Sequence, residues 1–152
     1  MKKQFLLFGL LILLFTACKK QSFNATKQSV IDDEKIQAYI AANHINVTKA
    51  PSGIYYEIIR ADTGTHPLDT ATVQVSYTGK LLNGTVFDTE SADIIGLSGA
   101  IVGWQDGLPL IAPGGRIRLF IPSALGYGSS VSGSIPANSV LDFTIDLLGY
   151  YN

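Results

Sequence analysis

From Gly53 onward, apolar residues tend to recur at every second position. Segment 54–60 (IYYEIIR) is rich in β-branched and aromatic residues, and segment 73–77 (VQVSY) alternates apolar with polar. Segment 116–121 (RIRLFI) sets its arginines on one face and its aliphatics largely on the other, and 141–147 (LDFTIDL) alternates cleanly. A period of two sends successive side chains to opposite faces, which marks half-buried antiparallel strands. Asn83-Gly84, between Leu82 and Val86, signals a tight turn. Within this region only 104–110 predicts a short helix, enclosed by Gly103 and the breaker run Pro113-Gly114-Gly115. The pattern predicts an α+β domain, an antiparallel sheet with one short helix to fill its concave face.

Upstream the pattern changes twice. Residues 31–43 predict a short helix, with Ser29 as its cap and Asp32, Asp33 and Glu34 at the positive end of the dipole. Ile36, Tyr39 and Ile40 then share one face. Such a helix would pack on the domain, space it from a membrane, or pair with a second copy. Residues 19–29 are polar and aperiodic, and are expected to form a tether. Before them, Lys2 and Lys3 precede an uncharged apolar run over residues 5–15 and then Thr16-Ala17-Cys18. A basic start, a short apolar run and small residues form a secretory leader. The run is shorter than the roughly 20 residues that span a bilayer. The expected organisation is a leader over 1–17, a tether over 18–29, a helical segment over 30–48 and a folded domain over 50–152.

Composition sharpens that picture at one residue. Cys18 is the sole cysteine, so no disulfide supports the fold. Simple cleavage near Ala17 would leave it as a free thiol in an oxidising compartment. The run ending at Cys18 resembles instead a bacterial lipoprotein lipobox. That resemblance implies a cysteine carrying several acyl chains, which anchor stably where a single chain is marginal. Lys19 replaces the acidic residue linked to inner-membrane retention in some bacteria. The expected location is therefore the cell envelope, lipid-anchored at the outer membrane and facing the periplasm.

The charge balance excludes one class of partner. The whole chain is near −1, and loss of Lys2 and Lys3 with the leader takes it to about −3. No basic patch is available to neutralise phosphates, so nucleic acid is not an expected partner. His44 and His66 are the only histidines, and no cysteine–histidine cluster has metal spacing. Nucleophile-elbow, phosphate-loop and dinucleotide fingerprints are missing as well. Neither a metal nor a cofactor is expected. What stands out is a set of aromatics beside glycine turns: Tyr77, Phe87, Trp104, Tyr127 and Phe143. Each alone reads as an ordinary core residue.

In order along the chain stand VQVSYTG (73–79), LNGTVFD (82–88), IVGWQDGL (101–108), IPSALGYG (121–128), IPANSVL (135–141) and Phe143. This succession resembles the FKBP-type peptidyl-prolyl cis–trans isomerases and covers roughly residues 50–149. The resemblance implies a half-barrel sheet wrapped around the short helix near Trp104. It implies catalytic roles for Asp88, Tyr127 and Phe143, and a substrate-binding floor and walls from Trp104, Tyr77, Phe87, Ile101 and Ile135. Tyr127 would donate its hydroxyl, and Ile101 its backbone N–H, to substrate carbonyls. Implied partners are proline-containing unfolded or nascent envelope proteins, with macrolides as inhibitors. The segment 89–100, expected as a loop, is short for the family and lacks an aromatic there, for which Ile94 or Ile95 would substitute. Ala100 stands where a bulkier aliphatic is common, and Ala137 follows Pro136 where a second proline is frequent. A trimmed site leaves a second reading open, a binding module or holdase with little catalysis.

Overall fold

The structure is a computed structural model that describes residues 25–152. The leader, Cys18 and most of the expected tether lie outside the described residues. The elements are α1 (Ala25–Ala42), β1 (Thr48–Lys49), β2 (Tyr55–Arg60), β3 (Thr72–Leu81), β4 (Val86–Gly96), α2 (Val102–Gly107), β5 (Arg116–Ile121) and β6 (Leu141–Tyr151). Six strands form one sheet in the order β1-β2-β5-β6-β3-β4, every pair antiparallel. The last strand of the chain is thus central, between β5 and β3.

The alternation read from the sequence sorts side chains between two faces. Ile117, Leu119 and Ile121 of β5 join Leu141, Phe143, Ile145 and Leu147 of β6 in the inner core, with Val73, Val75, Trp104 and Leu108. The intervening positions face outward. There Arg116 grips Asp146 through two hydrogen bonds, and Arg118 does the same to Asp142. Asp142 is fully buried, and a buried carboxylate is tolerated because bidentate arginine satisfies it. Helix α2 with its 3-10 continuation Leu108–Leu110 lies against the inner face. There Gly103 and Gly107 let it approach β5 closely: a β-carbon on either would come within 2.5 Å of Ile121 or Leu119.

Helix α1 covers the outer face. Ile36 is buried with Tyr55, Phe120 and Val140, and Tyr39 and Ile40 pack around them. The shared face of Ile36, Tyr39 and Ile40 is therefore as expected, but the helix start is not. The helix begins at Ala25, so residues 25–29 are helical rather than tether. Ser29 is no cap: its hydroxyl donates back to the Thr26 carbonyl within the helix. Asp32, Asp33 and Glu34 fall mid-helix, beyond the reach of the positive end. Asp33 instead accepts from Tyr55 and Lys49. Among the described residues, no helix is long and apolar enough to cross a membrane.

The segment after Asp88 also departs from expectation. It is not a short loop but the body of β4, an edge strand paired with β3 through two register shifts. One shift lies next to Ala92, whose φ of 56° bends the strand where it would otherwise run flat.

Candidate functional site

A cavity of about 240 Å³ opens between the inner face of the sheet and the start of α2. Tyr77 from β3, Asp88 and Ile95 from β4, Ile101 and Trp104 at α2, Tyr127 from the loop after β5 and Phe143 from β6 line it. Its volume falls below the roughly 300–1,000 Å³ of drug-sized pockets. It suits one small ring with its flanking amides.

The rings are held by one another. Trp104 sits edge to face with Tyr77 at 5.0 Å and with Phe143 at 5.3 Å, and Tyr77 meets Phe143 at 6.1 Å. Such tilted pairs align each ring's positive edge with its neighbour's negative face. Trp104 and Phe143 are almost wholly buried, while Tyr127 at the rim is 39% exposed. The Tyr77 hydroxyl donates to Asp88 Oδ2 at 2.8 Å, fixing the carboxylate at the cavity wall. Burial pushes the Tyr77 phenol well above its ordinary 10.0, and the bond to Asp88 adds to the effect. Tyr77 therefore stays a neutral donor at any ordinary pH.

Three donors at the site are unengaged among the described residues. The Tyr127 hydroxyl has no hydrogen-bond partner, and its backbone is bracketed by Gly126 and Gly128, whose N–H groups both donate to the Ser123 carbonyl. Ile101 caps α2 and accepts from Trp104 N and Gln105 N, while its own N–H finds no acceptor. The indole N–H of Trp104 is buried and likewise lacks a partner.

Six of the eight residues expected from the resemblance meet here: Tyr77, Asp88, Ile101, Trp104, Tyr127 and Phe143. The other two stand behind the wall. Phe87 packs on Phe143 at 5.4 Å and fills the space left by the missing side chain of Gly79. Ile135 is buried in the core, its backbone N–H and carbonyl both spent on Ser132. Ile95 reaches the cavity, whereas Ile94 on the same strand is 64% exposed. Gly99 also lines the cavity and carries no sequence signal of its own. Among the described residues no cluster of three or more histidine, cysteine or acidic side chains could hold a metal.

A larger cavity, about 500 Å³, lies between α1 and the loop after β5. It contains the Asp33–Lys49 ion pair and no aromatic ring, so it offers no stacking surface. The smaller aromatic cavity is the better candidate for chemistry.

Comparison with known proteins agrees with this geometry. Residues 64–148 match the family described as FKBP-type peptidyl-prolyl cis-trans isomerase. The FKBP-type peptidyl-prolyl cis-trans isomerase FkpA of Aeromonas hydrophila is 40% identical over 131 residues, 82% of this chain and 48% of that protein. The outer membrane protein MIP of Legionella longbeachae is 39% identical over 136 residues, 85% of this chain and 58% of that protein. The crystal structure of FkpA from Escherichia coli superposes with a TM-score of 0.71 at 35% identity, covering 82% of this chain and 62% of that one. The chain spans about half the length of the curated relatives it matches.

Proposed function

The chain belongs to the FKBP-type peptidyl-prolyl cis-trans isomerase family, and from that premise we propose that it accelerates rotation about X-Pro bonds in proteins folding in the cell envelope. The carrying observation is the aromatic cavity floored by Trp104, with unengaged donors from Tyr127 and Ile101 at the site. An X-Pro bond needs no covalent change to isomerise, only rotation over a barrier near 20 kcal/mol maintained by amide resonance. Resonance places negative charge on the carbonyl oxygen, and water stabilises that charged form. A prolyl ring seated on Trp104, between Tyr77 and Phe143, leaves that water behind, so the twisted and less polar amide is relatively favoured. Donors from Tyr127 and the Ile101 backbone orient the peptide by its carbonyls. Asp88, tethered by Tyr77, adds a fixed negative field beside the rotating bond. Each ~1.4 kcal/mol removed from the barrier gives a tenfold acceleration.

The test is turnover of a proline peptide and proline-limited refolding of a model client by residues 19–152. Acceleration of both, inhibited by a macrolide that competes for the cavity, is the expected result. A chain that suppresses client aggregation without accelerating either reaction is a holdase, and the catalytic reading fails.

We propose further that Cys18 carries the anchor and that the domain works on proline-containing clients at the outer membrane. The lipobox-like run supports the anchor, and likeness to a protein named for the outer membrane supports the address. Cys18→Ser should abolish acyl labelling and release the protein from the membrane fraction. Mature protein without lipid by mass spectrometry would rule the anchor out.

A further inference from the structure

Asp32 is fully buried on the face of α1 that also carries Ile36, yet it is a carboxylate. Burying a charge is costly unless hydrogen bonds replace its water. An aliphatic residue would serve packing as well, as Ile36 does one turn later. Its oxygens show what it does instead. Oδ2 accepts from the Ser123 backbone N–H at 2.9 Å and from the Ser123 hydroxyl at 2.6 Å, while Gln28 donates to Oδ1 at 2.7 Å. The Ser123 contacts bridge 91 residues of sequence.

Ser123 is the first residue of the turn that presents Tyr127. Its carbonyl accepts from Gly126 N at 3.0 Å and Gly128 N at 2.8 Å, on either side of the tyrosine. Gly128 passes the constraint on, its carbonyl accepting from Asn138 N at 2.8 Å ahead of β6. With its N–H and hydroxyl fixed by α1 and its carbonyl fixed by the turn, Ser123 has neither backbone dihedral free. The small glycines around Tyr127 would otherwise leave this loop with many accessible shapes.

We propose that Asp32 is a positioning residue for Tyr127: α1 holds the Ser123–Gly128 turn and so sets where the tyrosine hydroxyl meets substrate. This rests on the reading of Tyr127 as a substrate donor given above. The N-terminal helix is then part of the catalytic apparatus, and a helix loosened from the sheet turns the enzyme down.

The experiment is a double-mutant cycle on the full mature chain, read by kcat/KM on a proline peptide. Asp32→Ala should lower kcat/KM roughly fivefold, the equivalent of about 1 kcal/mol and no more than Tyr127→Phe itself costs. In a Tyr127→Phe background the same change should cost little further rate, because the hydroxyl it positions is gone. Asp32→Asn, which keeps one acceptor but loses the charge and the other, should lose rate about two- to threefold in the same pattern and serves if the alanine variant unfolds. Equal losses in both backgrounds, or none in either, overturn the proposal. Amide exchange at Gly126 and Gly128 is the arm that does not depend on activity. Faster exchange there in the Asp32 variants, with β3 and β6 unchanged, supports the hold of α1 on the turn, and if Tyr127→Phe alone is then silent it is the substrate-donor reading that fails. Unchanged exchange at both glycines overturns it.

Discussion

Gly79→Ala adds one methyl group where two rings already meet. Gly79 pairs with Phe143 on β6 and Asp88 on β4. A β-carbon there would lie 2.6 Å from Phe143 Cε1, 2.6 Å from Phe87 Cε2 and 2.7 Å from Phe87 Cζ. Ordinary contact between such atoms is about 3.5–4.0 Å, so each ring must give way by roughly 1 Å. Phe87 is half-buried and can swing outward. Phe143 is 3% exposed and backed by Trp104 at 5.3 Å, so its shift is transmitted to the cavity floor. Overpacking of this kind costs about 1–3 kcal/mol. At roughly 4 °C per kcal/mol, a cost near the middle of that range lowers Tm by about 8 °C. Thermal unfolding by circular dichroism reads the packing cost, and kcat/KM on a proline peptide reads the displaced wall. Both should fall. A variant that melts with the parent and turns over at its rate would refute the claim that Gly79 is kept small by its two rings.

Other perturbations separate rate from stability. Tyr127→Phe keeps the ring and removes one neutral hydrogen bond, worth about 0.5–1.5 kcal/mol, so a several-fold loss of rate with unchanged Tm is expected. Asp88→Val removes the carboxylate that Tyr77 holds and should cost at least as much rate with little change in Tm. If both variants match the parent, the donor and the wall are misassigned. Trp104→Ala opens the cavity floor and should cost roughly 3–5 kcal/mol in denaturant unfolding, a loss that a merely peripheral tryptophan would not show. Two carboxyls predict the acid limb of stability: hydrogen bonds and attraction from Lys49 hold Asp33, and from Arg116 hold Asp146, below the ordinary 3.8. Both contributions are fully present above that value and are lost as pH falls through the depressed ones, so Asp146→Asn should flatten the acid limb. Turnover itself should be nearly flat from about pH 6 to 8, since bell-shaped profiles report essential titrating groups and no histidine or cysteine lines the cavity.

The sheet's central strands were legible because they are buried on one face and polar on the other. Arg116 and Arg118 against Ile117 and Leu119 announce that geometry without any structure. Strand β4 was not legible for the opposite reason. It is an edge strand, exposed along most of its length, so no burial forces its polar centre (residues 89–93) to alternate. The α1 start was missed because residues 25–30 have no apolar period, and Ser29 looks like a cap wherever it stands. Within the site, residues sharing a motif did not share a function in space. Asp88 lines the cavity, while its neighbour Phe87 is drawn behind Phe143 by the room at Gly79. Asp32 did carry a signal, a carboxylate four residues before Ile36 on an apolar face. Its partner lies 91 residues away, and local pattern cannot supply that.

The central place of β6 orders events during synthesis. Strands β3 and β5 are made first, but each pairs on one side with β6 and cannot complete its ladder until residues 141–151 arrive. A chain emerging from the N-terminus therefore has no complete sheet, and no Phe143 to complete the cavity, until residues 141–151 have been delivered. Long-range pairing of this kind is slow to form. The aromatic cavity, which needs Phe143 from β6, is therefore among the last features of the domain to form.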